Sequence, residues 1–303
     1  MSEFATTLDP NKVTVFEHTY LGFINKVRDT GLVTTDDIID IIKLMQKNEM
    51  DCHVVIAGQN GVGKSILLLA ILKKYLGPKW FDNLMLARHT INDMVQFVLH
   101  NKNTLCAVDE WNQYLNYTRH MESDQKHFIT TLELARSKSI GFIGCARDPR
   151  KLTLNYRDGK MSIVIWTIDR FVAGGSYAAV FVTNPAIESY DKFGFDMIPG
   201  DIVDFEEMRS TFETLPSFVG YLNMDNIDKY LTKKELEHYK KEKDTSMAYA
   251  HLNHVLDDFK KKKIDYDELM SELDKLRDLI PKEDINKSIP SKSKQTKLKE
   301  VFE

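Results

Sequence analysis

No apolar run in this 303-residue chain approaches the roughly 18 residues of a membrane-spanning helix. Its start has no basic stretch leading into an apolar one. A helical span and a secretory leader are therefore not expected, and the chain reads as intracellular and cytoplasmic. Charge of one sign is also lacking. Lys and Arg number 41 against 45 Asp and Glu, a net of −4, so no global field draws the chain to a polyanion. Any such contact needs a local patch. Cysteine is scarce. Cys52, Cys106 and Cys145 each fall in an apolar, strand-like run without metal-ligand spacing, as small core residues of a reducing compartment do. His251 and His254 stand on a helical stretch without further ligands nearby and read as surface. With 43% apolar and 28% charged residues, the chain can build one sizeable core plus an appendage.

What is present is organised. Residues 1–33 form a mixed lead-in with Phe16, Tyr20 and Phe23, expected to pack on the core. Thr34 or Thr35 can cap a helix whose Ile38, Ile41, Ile42 and Met45 form one stripe. Apolar runs at 52–57, 84–86, 104–108 and 140–145 alternate with helical stretches at 66–76, from Thr90 to His100, and at 123–138. That alternation predicts an α/β fold with a central, mostly parallel sheet. Two further strands, Met161–Phe171 and Ser176–Val182, joined by Ala173-Gly174-Gly175, read as a β-hairpin extension. Residues 225–280 are charged and helical, with the two signs nearly balanced. Tyr266, Leu269, Leu273, Leu276 and Ile280 make an apolar stripe there. Asp265 and Glu268 suit a capping box, and Pro281 a stop. The stripe suits packing within its own domain better than an intermolecular coil. The expected division is a core over 34–215, a helical C-terminal appendage over 216–285, and a disordered basic tail over 286–303.

The densest signal is Gly58-Gln59-Asn60-Gly61-Val62-Gly63-Lys64-Ser65, which fits G-x-x-x-x-G-K-[ST] at every fixed position. Glycines let backbone N–H groups turn inward around phosphates. Lys64 reaches the β- and γ-phosphates, Ser65 offers a hydroxyl to Mg²⁺, and the helix from Ile66 directs its positive end at the same charge. An apolar strand before the loop and an apolar helix after it set this apart from an ordinary glycine turn. Residues 58–66 are thus the nucleotide cradle, with ATP and Mg²⁺ as the implied ligands.

Val108-Asp109-Glu110 ends a later apolar strand. Asp109 would hold Mg²⁺ through water, and Glu110 would orient and deprotonate the attacking water. A carboxylate directly after the metal aspartate suits hydrolysis rather than transfer to an acceptor. Trp111 would pack over the rim of the site or, less simply, stack on a ligand.

The segment from Glu133 to Leu152 joins a helix ending in Arg136, a Gly-containing link, an apolar strand, then Arg147, Asp148 and Pro149. Together with the two motifs above, residues 50–155 resemble the FtsK–HerA superfamily of DNA-pumping ATPases. That group includes viral genome-packaging motors, conjugation coupling proteins and, more distantly, Zot-like phage proteins. The resemblance implies a RecA-like phosphate-loop NTPase of the additional-strand, catalytic-glutamate class. It also implies a homo-oligomeric ring (hexamer or pentamer), double-stranded DNA as the partner, and a host-cell cytoplasmic setting if viral. A capsid or other protein could bind the C-terminal helices. Arg136 stands where the family offers an arginine finger to a neighbour's ATP, and otherwise reads as a cation favoured at a helix end. Arg147 replaces the family's sensor glutamine, so it either contacts phosphate or pairs with Asp148. Arg157 and Arg170 are further finger candidates. Arg147, Arg150, Lys151, Arg157 and Lys160 form a basic run expected at the strand ends, where it would grip DNA, touch a neighbour or simply be solvated. Two rival functions stand beside the motor: an AAA-like or signalling NTPase that remodels protein, and a slow nucleotide-dependent DNA-binding scaffold.

Overall fold

The structure, a computed structural model, describes residues 22, 24–25, 27–111, 115, 123–168, 176–183, 193–195, 198, 205–261, 263–276, 279–281 and 284. The expected tail at 286–303, the Ala173-Gly174-Gly175 turn and Arg170 lie outside them.

Two compact units divide the chain. One holds residues up to 85 and 89–232, and the other holds 86–88 and the chain from Lys233. In the first unit, β1 (Leu32–Val33) precedes α1 (Thr35–Lys47), and β2 (His53–Ala57) precedes α2 (Lys64–Leu76). Then come β3 (Leu84–Met85), α3 (Ile91–His100), β4 (Thr104–Val108), α4 (Ser123–Ser137) and β5 (Ile140–Ala146). The short α5 (Leu154–Gly159), β6 (Ile163–Thr167), β7 (Tyr177–Val182), α6 (Phe205–Thr214) and β8 (Phe218–Asn223) complete it.

Local chemistry sets the helix starts. Thr34 accepts from Asp37 N while the Asp37 carboxylate accepts from Thr34 N, a closed capping box. Thr90 and Asp93 repeat it at α3. Each such cap is worth about 1 kcal/mol.

The eight strands run β1-β8-β7-β6-β2-β5-β4-β3, and β7 alone is antiparallel to its neighbours. Every residue of β2 and β5 is buried, as central strands covered on both faces must be. Val55, Cys106, Phe142 and Val164 share one apolar cluster with Met94 and Val98 of α3 and Phe128 and Leu132 of α4. Alternate positions serve the other face. α2 packs against β2, β4 and β5. The strand after the phosphate loop's helix is not β2's neighbour. β5 is inserted between β2 and β4, the arrangement of the additional-strand phosphate-loop NTPases, and the fold is of that class.

The expected hairpin strands are present: β6 and β7 are antiparallel neighbours that extend the parallel strands within the one central sheet, and Ile163, Val164, Ile165 and Ala178 through Val182 are buried there. One expectation is corrected. The core does not end at 215. Phe218–Asn223 pairs with β7 on one side and β1 on the other, so the first unit runs to Thr232.

In the second unit, α7 (Lys233–Lys260) and α8 (Tyr266–Leu276) share a small core. Leu269, Leu273, Leu276 and Ile280 bury against Ala248, Leu252, Val255 and Leu256, so the sequence stripe is intramolecular. Asp265 and Glu268 close their capping box. No helix among the described residues is long and apolar enough to cross a membrane.

Candidate nucleotide site

Parallel strands bring their carboxyl ends to one edge. The phosphate loop follows β2, Asp109 and Glu110 follow β4, and Arg147 follows β5. The loop's conformation demands its glycines: φ is +135° at Gly58, +85° at Gly61 and +92° at Gly63. At Gly58 packing adds a second reason. A Cβ there would come within 2.1 Å of Thr167 Oγ1 and 2.8 Å of Thr167 O. Thr167 itself donates to Ala57 O at 2.8 Å, clamping the end of β6 to the loop's start. Sequence reading missed Thr167. Its signal was a lone hydroxyl residue ending an apolar strand.

α2 starts unlike α1 and α3. Gly63 caps it without a side-chain hydrogen bond, and its first turn holds no acidic residue. Its leading N–H groups are left for an anion rather than for a protein carboxylate. Lys64 Nζ donates to Gly58 O at 2.7 Å and Gln59 O at 2.6 Å, so the ammonium already lies across the cradle. Gln59, Asn60, Gly61 and Val62 form its exposed or half-exposed rim, and Ser65 and Ile66 open α2.

Ser65 Oγ donates to Asp109 Oδ1 at 2.9 Å, and Asp109 is only 6% exposed. A hydroxyl and a carboxylate meeting at the foot of a phosphate cradle are the hard oxygen donors that Mg²⁺ takes, so the residues fit that ion. Glu110, next along the chain, is solvent-exposed at the same edge.

The remaining candidates separate. Arg147 is exposed, and its carbonyl accepts from Gly58 N at 3.2 Å, tying the segment after β5 to the loop. Asp148 pairs with Arg150 and not with Arg147. Arg150 Nε and Nη2 both reach its carboxylate, the latter at 3.0 Å. Asp148 also accepts from Arg150 N, and this turn aims the guanidinium back at the carboxylate. Lys160 leaves the expected basic edge. It pairs with Asp51 at 3.4 Å, before β2 and at the opposite end of the sheet from the loop. Arg157 is half-buried on α5. Arg136 is exposed in the last turn of α4, which leads into the start of β5. It too lies at the edge away from its own chain's loop.

Trp111 is corrected outright. It is not at the rim but fully buried, ringed by Phe128, Phe142 and Tyr156 at 5.4–6.1 Å between centroids. Gly144 makes room for it, since a Cβ there would sit 2.6 Å from Trp111 Nε1. A buried indole one residue after Glu110 fixes where the β4 loop leaves the sheet.

Sequence reading also missed a cavity of about 390 Å³ against Gly58 and Gln59, with Arg147, Arg150, Lys151 and Trp166 among its walls. Its parts come from segments far apart in the chain.

No protein-family model and no curated protein matches the chain. Among solved structures, it is similar to the N-terminal domain of zonular occludens toxin from Neisseria meningitidis. The two are 14% identical, covering 49% of this chain and 89% of that one at a TM-score of 0.37. It is also similar to the genome packaging NTPase B204 of Sulfolobus turreted icosahedral virus 2, solved in complex with ATP-gammaS. That pair is 14% identical, covering 44% of this chain and 92% of that one at a TM-score of 0.31. Both are of kinds that the sequence resemblance names. The fold rests on the strand order and loop geometry above, and these likenesses assign no residue.

Proposed function

We propose that the chain is a Mg²⁺-dependent ATPase and that it works as a ring-forming motor on double-stranded DNA. The observation that carries the first part is the Ser65–Asp109 contact at 2.9 Å under a cradle bridged by Lys64, with Glu110 beside it. Lys64 would exchange its two carbonyl partners for β- and γ-phosphate oxygens. The N–H groups of residues 61–66 would take the remaining phosphate charge. Ser65 and Asp109 would hold Mg²⁺, which supplies charge neutralisation on the phosphate oxygens. Glu110 would orient a water in line with the γ-phosphate and take its proton.

The motor reading rests on the resemblance over 50–155. It is supported by Arg136, which is exposed and remote from its own loop, so any catalytic role falls on a neighbour's ATP. A hexameric or pentameric ring is the assembly that would use it. The α7–α8 unit is proposed as the surface for a capsid or other protein partner. The test is the steady-state ATPase rate with and without linear double-stranded DNA. Stimulation by DNA is the expected result. A rate that responds to a protein partner and not to DNA would turn the reading to a remodelling NTPase.

A further inference from the structure

The cavity beside the phosphate loop has two chemically distinct sides. Trp166 of β6 with Met208 and Phe212 of α6 makes an apolar wall. Arg147, Arg150 and Lys151, all from the segment after β5, bring positive charge. These cations are not equivalent. Arg150 is held by both oxygens of Asp148, and its guanidinium carbon lies 5.7 Å from the Trp166 ring centre. Its charge is matched by Asp148, and that pairing holds the guanidinium near the indole ring. Trp166 is held in turn by Phe195 and Phe212, at 5.5 and 5.7 Å between centroids. Arg147 and Lys151 are exposed, and neither makes an ion pair among the described residues. The cavity therefore offers a rigid indole–guanidinium wall for a flat group and two uncommitted charges for an anion. Its volume, about 390 Å³, lies within the range of small-ligand sites, about 300–1,000 Å³.

We propose that this cavity, which borders the phosphate loop at Gly58 and Gln59, is a second nucleotide-unit site beside the loop's anion cradle. The base lies on the Trp166–Arg150 wall and the phosphate on Arg147 and Lys151. Flat bases stack on indole and guanidinium planes, and phosphate takes charge-assisted hydrogen bonds from Arg and Lys. A free mononucleotide and one unit of a single strand present the same chemistry. The site does not require hydrolysis at the loop.

The chain's three tryptophans make the test direct. Trp80 and Trp111 are buried, so Trp166 is the one a ligand can reach. Lys64→Ala, or Lys64→Met where that variant does not fold, is titrated while tryptophan emission is followed. The probes are deoxyadenosine monophosphate, a short single-stranded oligodeoxynucleotide, adenosine and inorganic phosphate. Saturable quenching by the mononucleotide or the oligonucleotide is expected, and it vanishes in Trp166→Phe. Affinity should fall at least about tenfold in Arg147→Ala/Lys151→Ala, which loses two charge-assisted contacts. Tighter binding of the oligonucleotide assigns a strand, and tighter binding of the mononucleotide a free nucleotide. No quenching by either probe overturns the proposal. So does equal quenching by inorganic phosphate alone. Quenching that requires intact Lys64 also overturns it, since the cavity would then belong to the loop's own site.

Discussion

At the scale of single residues, the site was legible where anion chemistry dictates residue type. The three loop glycines, Lys64, Ser65 and Asp109 could be read because few other residues would build that cradle. Trp111 and the Asp148–Arg150 pair could not, because burial and pairing depend on how the chain turns after the motif. Gly58→Ala tests the steric clamp. Its new Cβ would meet Thr167 at 2.1 Å from a backbone with φ of +135°. The variant should lose nucleotide binding in calorimetry, and wild-type affinity would contradict the clamp. His53 makes a second residue-scale case. It is buried on Phe142 and Tyr156, and its Nδ1 has no hydrogen-bond partner among the described residues. Burial, with Lys160 acting in the same direction and Asp51 opposing, pushes it down to about 4. The folded value lies below the unfolded one, so the neutral form's contribution is fully present above about pH 6.5. It is lost as pH falls towards 4, by on the order of 3 kcal/mol. His53→Phe should flatten the fall of melting temperature across that window, whereas parallel curves would remove His53 as its cause.

At the scale of elements, alternation of apolar runs revealed each strand from β2 to β7 but not their order. Insertion of β5 between β2 and β4 is a matter of pairing between distant segments, which local pattern does not encode. β8 escaped for another reason. Its six residues, Phe218–Asn223, include a glycine and a half-exposed face, so they carry little strand signal outside the sheet. Gly220 is there because Gly31 O lies 2.9 Å from where its Cβ would be, where β8 begins its parallel pairing with β1. The division at 232 makes a concrete expectation. A chain of residues 1–232 should melt cooperatively. A chain of 1–215 lacks β8, leaves β7 as an exposed edge and should aggregate. Equal, cooperative melting of both would return the boundary to 216.

At the scale of the whole molecule, the proposed ring would carry the exposed Arg136 of one copy, at one sheet edge, to the candidate nucleotide site at the other edge of its neighbour. Arg136→Ala and Glu110→Gln should each be nearly inactive, since a trans finger is worth about 10³–10⁵ in rate. Mixed, they should recover activity at interfaces pairing an intact Glu110 with an intact Arg136. No recovery in confirmed mixed assemblies would reduce Arg136 to a cation at a helix end. All of this depends on the loop and the β4 acid pair forming one hydrolytic centre. ATP binding and turnover of Glu110→Gln, measured side by side with the wild type, test that most directly. The account predicts unchanged ATP affinity with turnover lower by about 10²–10⁴-fold. Loss of ATP binding, or turnover equal to the wild type, would contradict it.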